Sequence, residues 1–528
     1  MGAQTMTAVE SRFDRRDRID TPPRRWVWAA ASFLAVAFVA VITLPFPFYG
    51  DHGVFVTMAR VIDGGGTPYL DYWDIKPPGI FLYFLLAGNL FGYTEIGIHL
   101  FEFLCMAAFA IVLLRTVGRR MSNPVLAAMV PIFVIGLYYA VSNRRQLTQV
   151  EGIVALPIFV AMWSAYRSTY DHRRWLLFLS GIAGGVVVLF KPLFAVVLLP
   201  IWLLTVWLRS AETNKSRVRT LGEVAGLAAL GALVPVVPVV LWLQLEGALT
   251  VALETWIVIP ARVLGELPPL ESAQLGTAVE WFLAGYGPML ALALYGLATV
   301  WRKRRSRLVG YLTTWIAGGA VAFLLQSHSW WNYYLHIITF PVTILAALTF
   351  DQLWRNRAAQ SAPVTRKTIV LWVLGALILL APAAPPVAGR TRTHFETGFS
   401  LGPTEQLAFQ ASYSAGLYER VYEDTEFLRS ERSRPGDIFV FGDPLYFSFS
   451  GRLPAVRLNG WSPEVMLSDQ WTELLADLDR ARPIYVFLQD DQLSMIEDRG
   501  PAVLDFVEDN YATIAKTEMG TWYEHIGT

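Results

Sequence analysis

The chain has 528 residues, 54% of them hydrophobic and 16% charged, and its 43 basic and 43 acidic side chains cancel to a formal net charge of zero. Soluble domains carry about a quarter charged residues, so this balance excludes a water-soluble globular protein, and the absence of a basic excess gives no nucleic-acid partner. Cys105 stands alone, which excludes an internal disulfide and a cysteine-based metal cluster.

In chain order, residues 1–25 form an arginine-rich tail that runs into an apolar stretch with no small-residue cleavage site, so the first span is expected to be retained. The sixth position is not Ser or Thr, which argues against N-myristoylation. Roughly 20 helical residues cross a bilayer core, and about eleven apolar runs meet that length, near 26–46, 94–114, 123–141, 152–166, 174–190, 192–208, 221–244, 281–300, 308–325, 334–350 and 368–388. The 174–208 pair reads either as two spans or as one kinked hairpin. Alternate connectors hold about 25 Lys and Arg on one side against about six on the other, which places the N-terminus in the cytoplasm and the C-terminus outside. The multi-pass chain is accordingly expected in a bacterial plasma membrane.

Between the first two spans lies an outer loop, residues 47–93. Val54, Phe55, Met58, Ala59 and Ile62 form one apolar stripe with Thr57 and Arg60 facing away, so 53–62 is expected to be a surface helix stopped by Gly64, Gly65 and Gly66. Segment 77–92 is apolar but short, and a crossing there would invert the charge bias of every later loop, so it too is placed at the interface. Beyond the last span, residues 389–528 turn polar and alternate helices with short β-rich runs such as DIFVFG and PIYVFLQ, which predicts a soluble extracytoplasmic α/β domain with a small open sheet.

The polar residues of the outer loops are the candidates for chemistry. Asp51 follows Gly50 where the first span ends, and is either an N-cap or an acid poised at the water boundary. Asp63 beside three glycines reads as a turn residue. Asp71 and Asp74 flank Tyr72 and Trp73, themselves ordinary interface anchors. Lys76 stands before Pro77 and Pro78, a rigid corner that aims its ammonium at a fixed place and suits a lipid phosphate. Arg144 and Arg145 bind either a substrate phosphate or ordinary headgroups. Glu151 reads as a cap of the fourth span or an orienting partner for an arginine. Lys191 marks a helix break where a charge must reach water or a phosphate. His328, Trp330, Trp331, Tyr333 and Tyr334 form an aromatic belt that could also line a polyprenyl chain, and His336 has no assignment.

An acid just after the first span, a helix ending in Ala-Arg and glycines, and then PYLDYWDIKPPGIFLY together resemble the first outer loop of the GT-C glycosyltransferases, in particular the family 39 group of protein O-mannosyltransferases and aminoarabinose transferases of lipid A. The break at Phe190, Lys191 and Pro192, the HSWWNYYLHIITFP segment and the C-terminal GDPLYFSFSGRLPAVR fit the same architecture. The resemblance implies a mainly α, polytopic membrane fold with a C-terminal α/β domain. It also implies a polyprenyl-phosphate-linked sugar donor held in membrane lipid, and an extracytoplasmic acceptor that is a protein, lipid or polysaccharide. Asp51 then matches the catalytic acid and Lys76 the lysine that holds the donor phosphate, with Asp71, Asp74, Arg144, Arg145, Glu151, Lys191, His328 and Tyr333 as further substrate-binding candidates. Some family members carry Glu directly before that lysine, whereas this chain has Ile75, so no metal is invoked. Rival readings are a transporter or flippase of lipid-linked saccharide, which would place its polar site near the bilayer midplane, and a membrane-anchored cell-envelope assembly protein.

Overall fold

The computed structural model describes residues 25–527 apart from 214–215, 268–272, 305, 328, 359–364, 401, 432 and 462. Nine helices among these residues are long and apolar enough to cross a membrane: Glu95–Arg120, Pro124–Val141, Val150–Asp171, Pro192–Thr213, Arg217–Leu245, Gln274–Arg304, Arg307–Leu324, Asn332–Arg357 and Arg366–Glu396. The shorter apolar helices Trp26–Val41 and Arg174–Phe190 occupy two further predicted spans. The chain is therefore a multi-pass membrane protein.

Helix ends follow local chemistry. The first span, α1 (Arg25–Val41), stops short of the expected residue 46, because Pro45 and Pro47 lack the amide hydrogens that would continue the ladder. The 174–208 region is two helices: Pro192 forces Lys191 into an extended conformation, with φ −162°, and the chain restarts in a new helix. Helix Arg174–Phe190 packs closely on Arg217–Leu245. A Cβ on Gly181 would lie 2.1 Å from Ala228 O, and one on Gly231 would lie 2.1 Å from Phe178 O. Small residues thus let two membrane helices touch backbone to backbone.

The first loop folds into α2 (Asp51–Asp63) and α3 (Pro78–Phe91), and α4 (Glu95–Arg115) comes next in the chain. The expectation of a one-faced surface helix at 53–62 is corrected. Residues 52–59 are all buried, Thr57 included, and the helix reaches solvent at Asp51, Arg60 and Asp63. The helix is covered by α3 on one side and by the C-terminal domain on another, where a Cβ on Gly53 would lie 2.7 Å from Pro444 Cγ. Segment 77–92 does form the expected short helix.

Helix Arg366–Leu380 passes through a 3-10 turn at Ala381–Ala383 into helix Ala384–Glu396, so helical backbone continues past residue 388, where the last span was expected to end. The C-terminal domain holds a four-stranded sheet of order β1-β2-β4-β3, built from Ile438–Phe441, Tyr485–Gln489, Tyr511–Lys516 and Gly520–His525. Strands β1 and β2 pair in parallel, with Ile438 opposite Tyr485, and the other pairs are antiparallel. The connection between β1 and β2 contains helix Ser468–Ala481, and both strands are buried along their length.

The domain is fastened to the first loop by main-chain contacts. Trp73 N donates to Arg457 O at 2.8 Å, Asn459 Nδ2 donates to Trp73 O, and Arg457 Nη1 donates to Tyr69 O at 3.1 Å. Arg60 reaches across to the carbonyls of Phe447 and Gly451, each at 3.1 Å. A segment dense in charge is thus roofed by a separate folded unit.

Candidate active site

The corner DIKPPG is built before any ligand arrives. Asp74 Oδ1 accepts the Lys76 amide at 2.9 Å, and Tyr69 OH donates to Lys76 O at 2.8 Å, while Trp256 Nε1 donates to that same hydroxyl at 3.1 Å. Pro77 then starts the next helix with φ −68°. These bonds leave the lysine side chain one direction. Its ammonium lies 3.3 Å from Asp51 Oδ1, 3.5 Å from Asp74 Oδ1 and 5.1 Å from the centre of the Phe55 ring.

Asp51 is the first residue of α2, and Gly50 is the cap residue. The capping alternative for Asp51 is therefore set aside: its carboxylate points to Lys76, and Tyr333 OH donates to its Oδ2 at 3.3 Å. Burial alone would raise the Asp51 pKa, but the Lys76 ammonium outweighs it and holds the carboxyl below the ordinary aspartate value. Asp74 goes the other way, because burial and the Asp51 charge exceed the help from Lys76. Burial opposes the Lys76 charge, yet the two acids raise its pKa above that of a free lysine. Lys76 and Asp51 keep 24% and 19% of their side-chain surface exposed, so an incoming group can reach both.

A second ion pair stands beside the first. Glu151, 1% exposed, accepts Lys191 Nζ at 2.8 Å; the cap reading of Glu151 is corrected, since an extended Gln149 begins that helix and the buried carboxylate needs a cation. Lys191 also donates to Gln326 Oε1 and lies 4.5 Å from the centre of the Tyr334 ring. Tyr333 and Tyr334, neighbours in the expected belt, thus turn inward, one to Asp51 and the other to Lys191.

Arg144 and Arg145 stack on one ring, with guanidinium carbons 4.9 and 4.1 Å from the centre of Tyr49. Burial, and then Arg145, lower the Arg144 pKa. Neither arginine has a carboxylate within 4.0 Å among the described residues, and Arg144 Nη1 is buried without a hydrogen-bond partner. Asp71 is not brought to the lysines: its Oδ2 accepts the Thr67 amide at 2.6 Å within its own turn. His328 lies outside the described residues. Tyr49, His52 and Gln326 are the members that the sequence reading missed, since each works through a contact across loops and sits in no motif. His336 is buried in the bundle with Nε2 3.4 Å from Ser142 Oγ.

Among the described residues no group of three or more His, Cys, Asp or Glu side chains is placed to hold a metal ion. The two acids closest to such a role, Asp51 and Asp74, have the Lys76 ammonium between them. The site does not fit a divalent cation, and no step is assigned to one.

The dolichyl-phosphate-mannose-protein mannosyltransferase family model matches residues 75–242, from the DIKPPG corner through helix Arg217–Leu245. No curated protein matches the chain by sequence. Among solved structures, ArnT from Cupriavidus metallidurans bound to undecaprenyl phosphate aligns with a TM-score of 0.58 at 15% identity, covering 96% of this chain and 99% of that one. The apo state of the same protein aligns with a TM-score of 0.56 at 14% identity, over 94% and 97% of the two chains. The predicted mainly α architecture with a C-terminal α/β domain is what is observed, and the chain is a polytopic membrane protein that shares its fold with ArnT.

Proposed function

We propose that this protein is a membrane glycosyltransferase that moves a sugar from a polyprenyl-phosphate-linked donor to an extracytoplasmic protein, lipid or polysaccharide, with inversion at the anomeric carbon. The observation that carries the reading is the exposed Lys76–Asp51 pair at a proline-fixed corner, in a fold shared with a protein solved with undecaprenyl phosphate. An arriving donor phosphate takes the Lys76 ammonium, with Tyr333 beside Asp51 and with Arg144, Arg145 and Lys191 as further phosphate ligands from the neighbouring loops. Withdrawing the cation raises the proton affinity of Asp51, so donor binding itself prepares the base. Asp51 accepts the acceptor O–H proton, the acceptor oxygen bonds to the anomeric carbon, and the bond from that carbon to the phosphate oxygen breaks. The electron pair leaves with polyprenyl phosphate, whose growing charge Lys76 stabilises. Asp74, with a raised pKa, orients Lys76 and takes no proton from the acceptor.

Two substitutions separate the roles. Lys76→Ala is expected to weaken polyprenyl-phosphate binding by about one to two decades, the worth of a charge-assisted contact. Asp51→Asn is expected to leave that binding intact and to lower turnover by roughly two to four decades, the usual contribution of a positioned base. Binding is measured by titration of the purified protein in detergent and turnover by loss of the lipid-linked sugar. Normal turnover in Asp51→Asn would remove the base from this site.

A further inference from the structure

We infer that Glu102, on the membrane helix α4, is a positioning residue that sets the arginine loop 142–149 by holding Thr148 in a left-handed backbone conformation. Its effect on ligand binding rests on the reading of Arg144 and Arg145 as phosphate ligands.

Thr148 has φ +55°, a conformation that a β-branched residue adopts only when its surroundings impose it. The imposing group is visible. Glu102 is 1% exposed, and its Oε1 accepts the Thr148 amide at 2.9 Å while its Oε2 accepts Thr148 Oγ1 at 3.0 Å. Tyr138 OH, from the helix that leads into the loop, donates to Oε1 at 2.6 Å. Among the described residues no basic side chain lies within 4.0 Å of this carboxylate, so its three hydrogen bonds to Tyr138 and Thr148 are what justify its place in the core.

Thr148 sets the course of the chain on both sides. Upstream, the loop starts where Arg390 clamps the Tyr139 and Ser142 carbonyls, so with Thr148 fixed the arginines are held between two anchors over Tyr49. Downstream, the side-chain amide of Gln149 lies 3.2 Å from Nε2 of His52, the residue next to Asp51. Glu102 therefore acts on the site through the loop without touching it.

The chemistry gives a ladder of variants. In Glu102→Gln the amide oxygen can still accept the Thr148 amide and Tyr138 hydroxyl, and the amide nitrogen can donate to Thr148 Oγ1, so loop and binding are expected to be retained. Glu102→Leu keeps the bulk and loses all three bonds. Thr148→Val keeps Glu102 and β-branching but loses the hydroxyl, which guards against a folding failure confined to Glu102→Leu. Glycine occupies positive φ at little cost, so Glu102→Leu/Thr148→Gly is expected to regain much of what Glu102→Leu loses.

Two readouts are taken on the full-length protein in detergent: amide hydrogen exchange of peptides spanning 142–150, and affinity for undecaprenyl phosphate. Glu102→Leu and Thr148→Val should exchange faster in that segment and bind about tenfold more weakly, with Glu102→Gln close to the parent in both. Unchanged exchange in Glu102→Leu overturns the inference. Faster exchange with unchanged affinity, while Arg144→Ala/Arg145→Ala loses affinity, overturns it too, because the arginines would then bind without the imposed geometry. Unchanged affinity in the arginine variant itself removes the phosphate role of those residues, and the ligand-binding half of the inference falls with it.

Discussion

At the scale of single residues, the site is an arrangement of charges that compensate one another until a ligand intervenes. Lys76 neutralises Asp51 and Lys191 neutralises Glu151, whereas Arg144 and Arg145 stack on Tyr49 and, among the described residues, have no carboxylate within 4.0 Å. His52 adds a titratable element next to Asp51. It is fully buried, and burial brings its pKa from 6.5 down to about 4, so the ring is neutral in the folded protein. A folded pKa below the unfolded one means that this stability is present above pH 6.5 and is lost as pH falls from there toward about 4. Asp443 in the roof has the opposite sign: burial lifts it to about 6, so its contribution is present below 3.8 and is lost as pH rises through about 6. The parent therefore shows only the sum, and comparison with His52→Asn isolates the histidine. The loss of melting temperature between pH 7 and pH 4.5 is expected to be smaller in His52→Asn, the difference corresponding to at most roughly 3 kcal/mol; equal losses would place the proton elsewhere. Asp51 and Lys76 were legible in the sequence because one follows a span and the other precedes two prolines. Glu151 was legible as a candidate but its pairing with Lys191 was not, since the lysine lies 40 residues away at a helix break. Tyr49 gave no signal at all, because an aromatic at a membrane boundary looks the same whether it anchors or stacks.

At the scale of elements, the first loop buries residues 52–59 of α2 and leaves Lys76 and Asp51 partly open to solvent. The roof explains why residues 52–59 of α2 are buried, a feature that the amphipathic spacing concealed: Arg60 looked solvent-facing because the partners of its guanidinium are carbonyls of a distant domain. Spans were readable because length and apolarity alone define them, and the break at Lys191 was readable from Pro192. The end of the last membrane helix was not, since a helix leaving a membrane need not stop where its apolar residues stop. Gly50 joins the span to the active-site helix with φ +52°, and a Cβ there would lie 2.6 Å from Trp461 Cζ2. Gly50→Ala is therefore expected to cost roughly 1–3 kcal/mol in backbone strain alone, and the displaced Trp461 adds to it. Thermal melting together with turnover measures this: both should fall, and a variant as stable and active as the parent would show that the roof does not bear on the first loop.

At the scale of the whole molecule, polar groups from distant parts of the chain meet at one end of the bundle. The loops after the first, third, fifth and ninth predicted spans supply Asp51 with Lys76, Arg144 with Arg145, Lys191, and Gln326 with Tyr333. The charge bias of the connectors expects that end, and the C-terminal domain with it, outside the cell. In a Cys105→Ser background, a membrane-impermeant thiol reagent on intact cells should label Ser412→Cys and spare Lys303→Cys; the reverse pattern would invert the topology. The proposed transfer requires bond cleavage at that end, and one measurement tests it directly. Purified protein in liposomes is given a panel of polyprenyl-phosphate sugars, each labelled in the sugar, with an extract of cell-envelope acceptors on the side of the C-terminal domain. One donor is expected to lose its sugar to an acceptor and leave free polyprenyl phosphate, and Asp51→Asn is expected to abolish the release. Intact lipid-linked sugar moved across the bilayer, with no cleavage from any donor, would contradict the proposed transfer.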